Sequence, residues 1–373
     1  MAATVWNPLK QLHALGQSVW LDLIRRSMLA PGGELQQLVE RDGIRGVTSN
    51  PAIFEKAING SDDYDDGVRR HFRDGKPIEA VYEALAVEDV GRAADVFRGV
   101  YDEHPGADGF VSIEVSPRLA HDARASVAEA RRIWAALGRP NVMIKVPGTR
   151  EGLAAIRTLL AEGINVNVTL LFAVSRYEEV LEQYLLALED RVGEGEPVDR
   201  IASVASFFLS RIDTLLDPQI ARNPEAKGLE GRIAVASAKL AYASYERVCA
   251  SERWKALAAR GARPQRLLWA STSTKNPAYP DTMYVEPLIG RDTVNTMPME
   301  TVDAYRDHGK PASRLGEGIA EARADLARLG RAGIELAAAT AQLEAEGVRK
   351  FIEPFEKLLA ALEAKCQAVG ESA

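Results

Sequence analysis

The feature that most constrains this chain is a rhythm. Short apolar stretches with strand character recur between longer stretches with helical spacing, from the region of Asp22 to that of Pro298. The strands read as Ser18–Ile24, Gly46–Pro51, Gly109–Val115, Asn141–Thr149, Ile164–Leu171, Ile201–Phe208 and Arg266–Ser271, with a weaker eighth at Thr293–Met297. Helical patterns lie at Asn7–Gly16, Glu34–Arg41, Val81–Leu85, Val90–Tyr101, Arg124–Leu137, Gly152–Glu162, Ala173–Asp190 and Gly231–Ala250. Strands that alternate with helices call for parallel pairing through crossover connections. Eight strands without a Gly-x-Gly-x-x-Gly fingerprint favour a closed (β/α)8 TIM barrel over a doubly wound sheet. Residues 1–373 are expected to form a single domain, with the barrel at about 18–315 and a helical extension at about 316–373. The extension reads as three helices between Gly318 and Val369, packed on the barrel and partly over its mouth. Gly60–Asp66 reads as a solvated acidic loop.

Within this rhythm the stretch Asn141-Val142-Met143-Ile144-Lys145-Val146-Pro147-Gly148-Thr149 is unusual. It reads as a buried strand ending in a Pro-Gly turn, with one amine among apolar residues. Burying an ammonium costs several kcal/mol unless it is paired or loses its proton. An apolar setting favours the neutral amine, which is a nucleophile toward carbonyl carbon. A surface lysine at a strand end is the plain alternative.

The neighbouring strands bear on the choice, because successive strand residues face opposite ways. Val19, Leu21 and Leu23 oppose Asp22; Val111, Ile113 and Val115 oppose Ser112 and Glu114. Val142, Ile144 and Val146 oppose Met143 and Lys145. Val166, Val168 and Leu170 oppose Asn165, Asn167 and Thr169, and Leu268 and Ala270 oppose Trp269 and Ser271. Each polar residue alone fits a satisfied core group. Together they offer Asp22, Glu114, Lys145, Asn167, Thr169 and Ser271 to one interior, a costly burial that function explains better than stability. A buried lysine with two acids suits carbon–carbon bond making and breaking through an iminium ion.

Other classes are disfavoured. A net charge of −7 and a pI near 5.5 argue against nucleic-acid or membrane-surface partners. His13, His71, His104, His121 and His308 lie outside the strands without ligand spacing and read as surface residues, and no metal or cofactor is expected. Cys249 and Cys366 fit no metal or redox pattern. Met1–Leu12 lacks the character of a signal peptide, and no run has the length of a membrane span, so the chain reads as cytoplasmic.

Thr48-Ser49-Asn50-Pro51, Ser112-Ile113-Glu114-Val115, Ile144-Lys145-Val146-Pro147, Asn165 to Phe172 and Ala205 to Arg211 together resemble transaldolases, in the longer form found in many bacteria and plants. The resemblance implies transfer of a dihydroxyacetone unit from a ketose phosphate to an aldose phosphate in the non-oxidative pentose phosphate pathway. It further implies Lys145 as the Schiff-base lysine, Asp22 as acid–base residue of cleavage, and Glu114 with Thr169 as holders of a catalytic water. Asn50, Asn167 and Ser206 would bind the dihydroxyacetone hydroxyls, with Thr48, Ser112 and Phe208 also facing substrate. Arg211 and Ser271 would bind phosphate. Two departures from the shorter form stand out. Ser273 occupies the place of an arginine two residues beyond Ser271, so Lys275 is expected to supply the second charge, and Phe207 replaces a proline. Fructose 6-phosphate aldolases, which release free dihydroxyacetone, have tyrosine where this chain has Phe208. That enzyme and a silent sugar-phosphate-binding protein are the alternatives; monomer and homodimer stay open.

Overall fold

The computed structural model describes residues 6–104 and 106–370, with side chains to 367. Residues 1–5 and 371–373, which the sequence reading includes in its single unit, lie outside the described residues. Eight strands form a closed, all-parallel barrel in sequence order, with helices between them. The strands are β1 (Gln17–Leu21), β2 (Gly46–Thr48), β3 (Phe110–Glu114), β4 (Val142–Pro147), β5 (Val166–Leu171), β6 (Ser203–Phe208), β7 (Arg266–Ala270) and β8 (Thr293–Met297). This is the expected (β/α)8 TIM barrel.

The helices run α1 (Pro8–Ala14), α2 (Glu34–Asp42), α3 (Pro51–Asn59), α4 (Asp65–Arg73), α5 (Ile78–Val96), α6 (Arg98–Glu103), α7 (Ala123–Leu137), α8 (Gly152–Ala161) and α9 (Val174–Gly193). They continue with α10 (Ser210–Ile220), α11 (Ile233–Cys249), α12 (Glu252–Ala258), α13 (Met299–His308), α14 (Ile319–Arg331) and α15 (Leu336–Gly370). The sequence reading assigned nothing to α3 or α4. Asn50-Pro51, read as a strand stop, is a helix start: the Asn50 side chain accepts from Ile53 N at 3.0 Å, and proline at the first helical position loses no hydrogen bond. The acidic loop is partly helical, since α4 begins at Asp65, whose carboxylate pairs with Lys365 Nζ at 2.8 Å. His71, read as surface, is buried on α4, with Nδ1 3.0 Å from Lys76 Nζ.

The expected three tail helices are two. α15 runs unbroken through Gly347 and Pro354. Proline costs a helix one N–H bond, but Phe351, Phe355, Leu358 and Leu362 form one buried stripe that holds the helix down.

Register explains what fills the barrel. Lys145 pairs with Glu114 on one side and Asn167 on the other, and Ser206 with Leu268. The inward set therefore includes Trp20, Phe110, Met143, Val204 and Leu268 as an apolar plug. Gly46 gives that plug room, because a Cβ there would sit 2.7 Å from the Trp20 ring. Above the plug come the polar residues at the C-terminal strand ends. This corrects the sequence reading of β7: Leu268 and Ala270 point inward, and Trp269 points out, donating from Nε1 to Leu288 O at 3.0 Å. Ser271 has φ 54° and lies past the strand, where alternation no longer applies. β5 also breaks its alternation. Leu170 has φ 62°, at a register shift between Val168 and Leu171, and its side chain meets α15 where a Cβ on Gly347 would be 3.0 Å away.

Candidate active site

The polar strand ends converge on a cavity of about 260 Å³ in the C-terminal mouth of the barrel. Asp22, Thr48, Asn50, Lys145, Thr169, Ser206, Phe208, Arg211, Ser271 and Lys275 line it, all drawn from the sequence reading. Lys145 is 5% exposed, which fixes it as an interior amine rather than a surface one. Its Nζ donates to Ser49 O at 2.6 Å and lies 3.6 Å from Glu114 Oε2. The Phe351 ring of α15 roofs it, 6.0 Å from Nζ to the ring centre.

Glu114 stands behind the amine. Its Oε1 accepts from Thr169 Oγ at 3.3 Å, while Oε2 has no hydrogen-bond partner among the described residues. Burial raises the Glu114 carboxyl above its ordinary range, opposed by the charge of Lys145 and the bond from Thr169. Asp22, one residue beyond β1, is held by its backbone N–H donating to Met297 O at 2.8 Å. Its Oδ1 accepts from Thr48 Oγ at 2.6 Å, and Thr48 in turn pairs with Thr296 Oγ at 2.7 Å. Burial raises Asp22 as well, against the pull of Lys145 and Thr48. Both carboxyls thus keep a proton to higher pH than an exposed acid, the property a proton-transfer group needs.

Two predicted residues lie under the cavity rather than on its wall. Asn167 donates to Ser112 Oγ at 3.1 Å and accepts from Ser206 Oγ at 2.7 Å, so Asn167 and Ser112 form a saturated floor and Ser206 reaches the opening. Asn50 spends Oδ1 on capping α3, which leaves its amide N–H groups toward the cavity.

The rim is basic. Arg211, at the start of α10, stacks its guanidinium 5.6 Å from the Phe208 ring centre. Its Nη1 is buried without a partner among the described residues, and burial lowers its affinity for the proton. Ser271 Oγ lies 2.8 Å from Ser210 Oγ, and Lys275 Nζ donates to Ser273 Oγ at 2.6 Å. One guanidinium and one ammonium, with hydroxyls between them, match a phosphate.

Sequence reasoning missed Thr296, Glu300 and Phe351, which also line the mouth. Alternation along β8 places Thr296 with the inward set, so that signal was available. Phe351 had none, because only packing carries the last helix over the strands.

A closed parallel barrel with a buried amine and two carboxyls at its C-terminal mouth defines an enzyme of the aldolase-like barrel class. The sequence profile of the Transaldolase/Fructose-6-phosphate aldolase family matches residues 19–362, and the chain belongs to that family. It is 47% identical over 372 residues to Transaldolase 2 of Nostoc sp., covering 96% of this chain and 97% of that one. It is 46% identical to the transaldolase of Thiobacillus denitrificans, covering 95% and 99%, and 48% identical to that of Acidothermus cellulolyticus, covering 95% and 96%. These relatives make it a transferase of the transaldolase kind.

Proposed function

We propose that this chain transfers a dihydroxyacetone unit from sedoheptulose 7-phosphate or fructose 6-phosphate to glyceraldehyde 3-phosphate or erythrose 4-phosphate, through a Schiff base on Lys145. The observation that carries this reading is the enclosure of Lys145 Nζ, which opens on the mouth cavity beside Asp22 with Glu114 3.6 Å behind. Lys145 Nζ, having passed a proton to Glu114, attacks the ketose carbonyl. Glu114 and Thr169 handle the proton and the water as the carbinolamine loses hydroxide to become an iminium ion. Asp22 takes the proton from the hydroxyl at C4, the C3–C4 bond breaks, and its electron pair passes to the iminium nitrogen as an enamine. The aldose phosphate leaves; the acceptor aldehyde then takes the enamine carbon, and the steps run in reverse. Asn50 and Ser206 bind the hydroxyls of the transferred unit, with Asn167 and Ser112 holding Ser206 in place. Arg211, Ser271 and Lys275 bind the phosphate.

Transfer is favoured over release of free dihydroxyacetone because Phe208 and Phe172 pack with ring centres 5.4 Å apart and planes tilted by 47° beside the cavity, a wall without an ionisable hydroxyl. No described helix is long and apolar enough to cross a membrane, and sugar-phosphate chemistry suits a cytoplasmic enzyme of the pentose phosphate pathway whose barrel and tail act as one unit. The test is borohydride reduction with fructose 6-phosphate followed by peptide mapping. A dihydroxyacetone-derived adduct is expected on Lys145 and is expected to vanish in Lys145→Ala. Active protein with an unmodified Lys145 rejects the reading.

A further inference from the structure

The segment between β7 and β8 brings Ser271 and Lys275 to the mouth cavity, and α10 brings Arg211. We infer that Tyr279 and Asp217 are positioning residues for phosphate recognition, because their hydrogen bond ties the loop that carries Lys275 to the helix that carries Arg211. The inference rests on the phosphate role proposed above for Lys275 and Arg211, and deepens it.

α10 holds the segment along one face. Ser210 donates its N–H to Ser271 O at 3.1 Å, and the two hydroxyls lie 2.8 Å apart. Asp213 Oδ2 accepts from Tyr284 O–H at 2.9 Å, and Asp217 Oδ2 accepts from Tyr279 O–H at 2.8 Å. Steps of three and then four residues along a helix stack Ser210, Asp213 and Asp217 on the same side. The other oxygen of each aspartate accepts a backbone N–H at the start of α11, from Ala234 and Gly231, both at 2.9 Å. Each carboxylate is thus held facing its tyrosine. Gly231 has φ 69°, and a Cβ on it would lie 2.9 Å from Tyr279 Cζ, so this glycine leaves the room through which the phenol reaches Asp217.

Lys275 to Ala278 are exposed, so burial does not hold them. Their order comes from within. Thr274 Oγ donates to Pro280 O at 2.9 Å, Tyr279 N–H to Asn276 O at 3.0 Å, and Ala278 N–H to Asn276 Oδ1 at 3.0 Å. Residues 274–280 therefore act as one piece. Among the described residues, the Tyr279 phenol makes the only hydrogen bond from that piece to another helix or strand. A lysine on a loose loop must be ordered when phosphate binds, at a cost in affinity, whereas a tethered one is preorganised.

Tyr279→Phe removes the hydroxyl alone, and steady-state kinetics of the full-length protein read the effect. KM for fructose 6-phosphate is expected to rise about three- to tenfold, the worth of one hydrogen bond. Little change is expected in kcat, or in kcat/KM with unphosphorylated fructose as donor. In a Lys275→Ala background the same substitution should add nothing, because a positioning residue loses its effect once the group it positions is gone. An unchanged KM in Tyr279→Phe, or an equal rise with and without Lys275, overturns the inference; a raised KM in Lys275→Ala alone then leaves the phosphate reading standing. If Lys275→Ala leaves KM for fructose 6-phosphate unchanged, the phosphate role of Lys275 falls and the inference falls with it.

Discussion

Lys145 and Glu114 are register partners on adjacent strands, and their charged ends stand 3.6 Å apart inside the barrel while the lysine gives its short hydrogen bond to the Ser49 carbonyl instead. The carboxylate is therefore beside the amine without immobilising it. It can serve the proton transfers of carbinolamine chemistry while the nitrogen remains available for carbon.

Replacing Glu114 with glutamine keeps the acceptor for Thr169 and removes the titratable group. We expect kcat to fall by roughly two to four orders of magnitude, the usual worth of a positioned acid–base group, with KM little changed. Steady-state kinetics check this; a variant within a few-fold of the parent removes Glu114 from the chemistry.

Arg211 presents to the mouth a buried N–H with no partner among the described residues. Arg211→Ala should raise KM for phosphorylated ketoses by roughly two to three orders of magnitude while sparing unphosphorylated ones. Equal effects on both substrate types would contradict a phosphate role.

Asp213, on the same helix, accepts from Ala234 N–H and Tyr284 O–H at 2.9 Å each, and burial pushes its carboxyl up to about 7. An unfolded aspartate titrates near about 3.9. Between these values the native state holds a proton that the unfolded chain has released, so this group's contribution to stability falls as pH rises from about 4 to about 7. Asp213→Asn, which cannot ionise, should gain on the parent across that window by on the order of a few kcal/mol and run parallel to it above. Urea unfolding at several pH values reads the difference, and parallel curves throughout would disprove it.

Phe351 covers the amine from above. Phe351→Ala should cost roughly 3 kcal/mol of stability, as expected for a large buried ring. It should also increase the free dihydroxyacetone formed without an acceptor, because water then reaches the enamine. An enzyme-coupled assay for dihydroxyacetone measures this, and an unchanged ratio of release to transfer would show that the ring excludes nothing.

Alternation was the readable part of this site. Asp22, Glu114, Lys145 and Thr169 all follow from apolar neighbours that fix which face each occupies, and register then brings them together. The same rule misassigned Trp269, because a large indole with its own carbonyl partner fits under the helices, and it failed at Leu170 and Ser271, where positive φ breaks the pleat. Asn50-Pro51 shows a different limit: one dipeptide ends a strand and starts a helix, and only the first half of that signal was read. The continuity of α15 through Pro354 was not legible locally, since the stripe that overrides the proline packs on elements far away in sequence.

The roof over Lys145 comes from the final helix, whereas the lysine belongs to the fourth strand. During synthesis the barrel's eight staves leave the ribosome before the segment that closes them over. The growing polypeptide therefore carries its amine uncovered until α15 has emerged and folded back, so shelter for that nitrogen comes late.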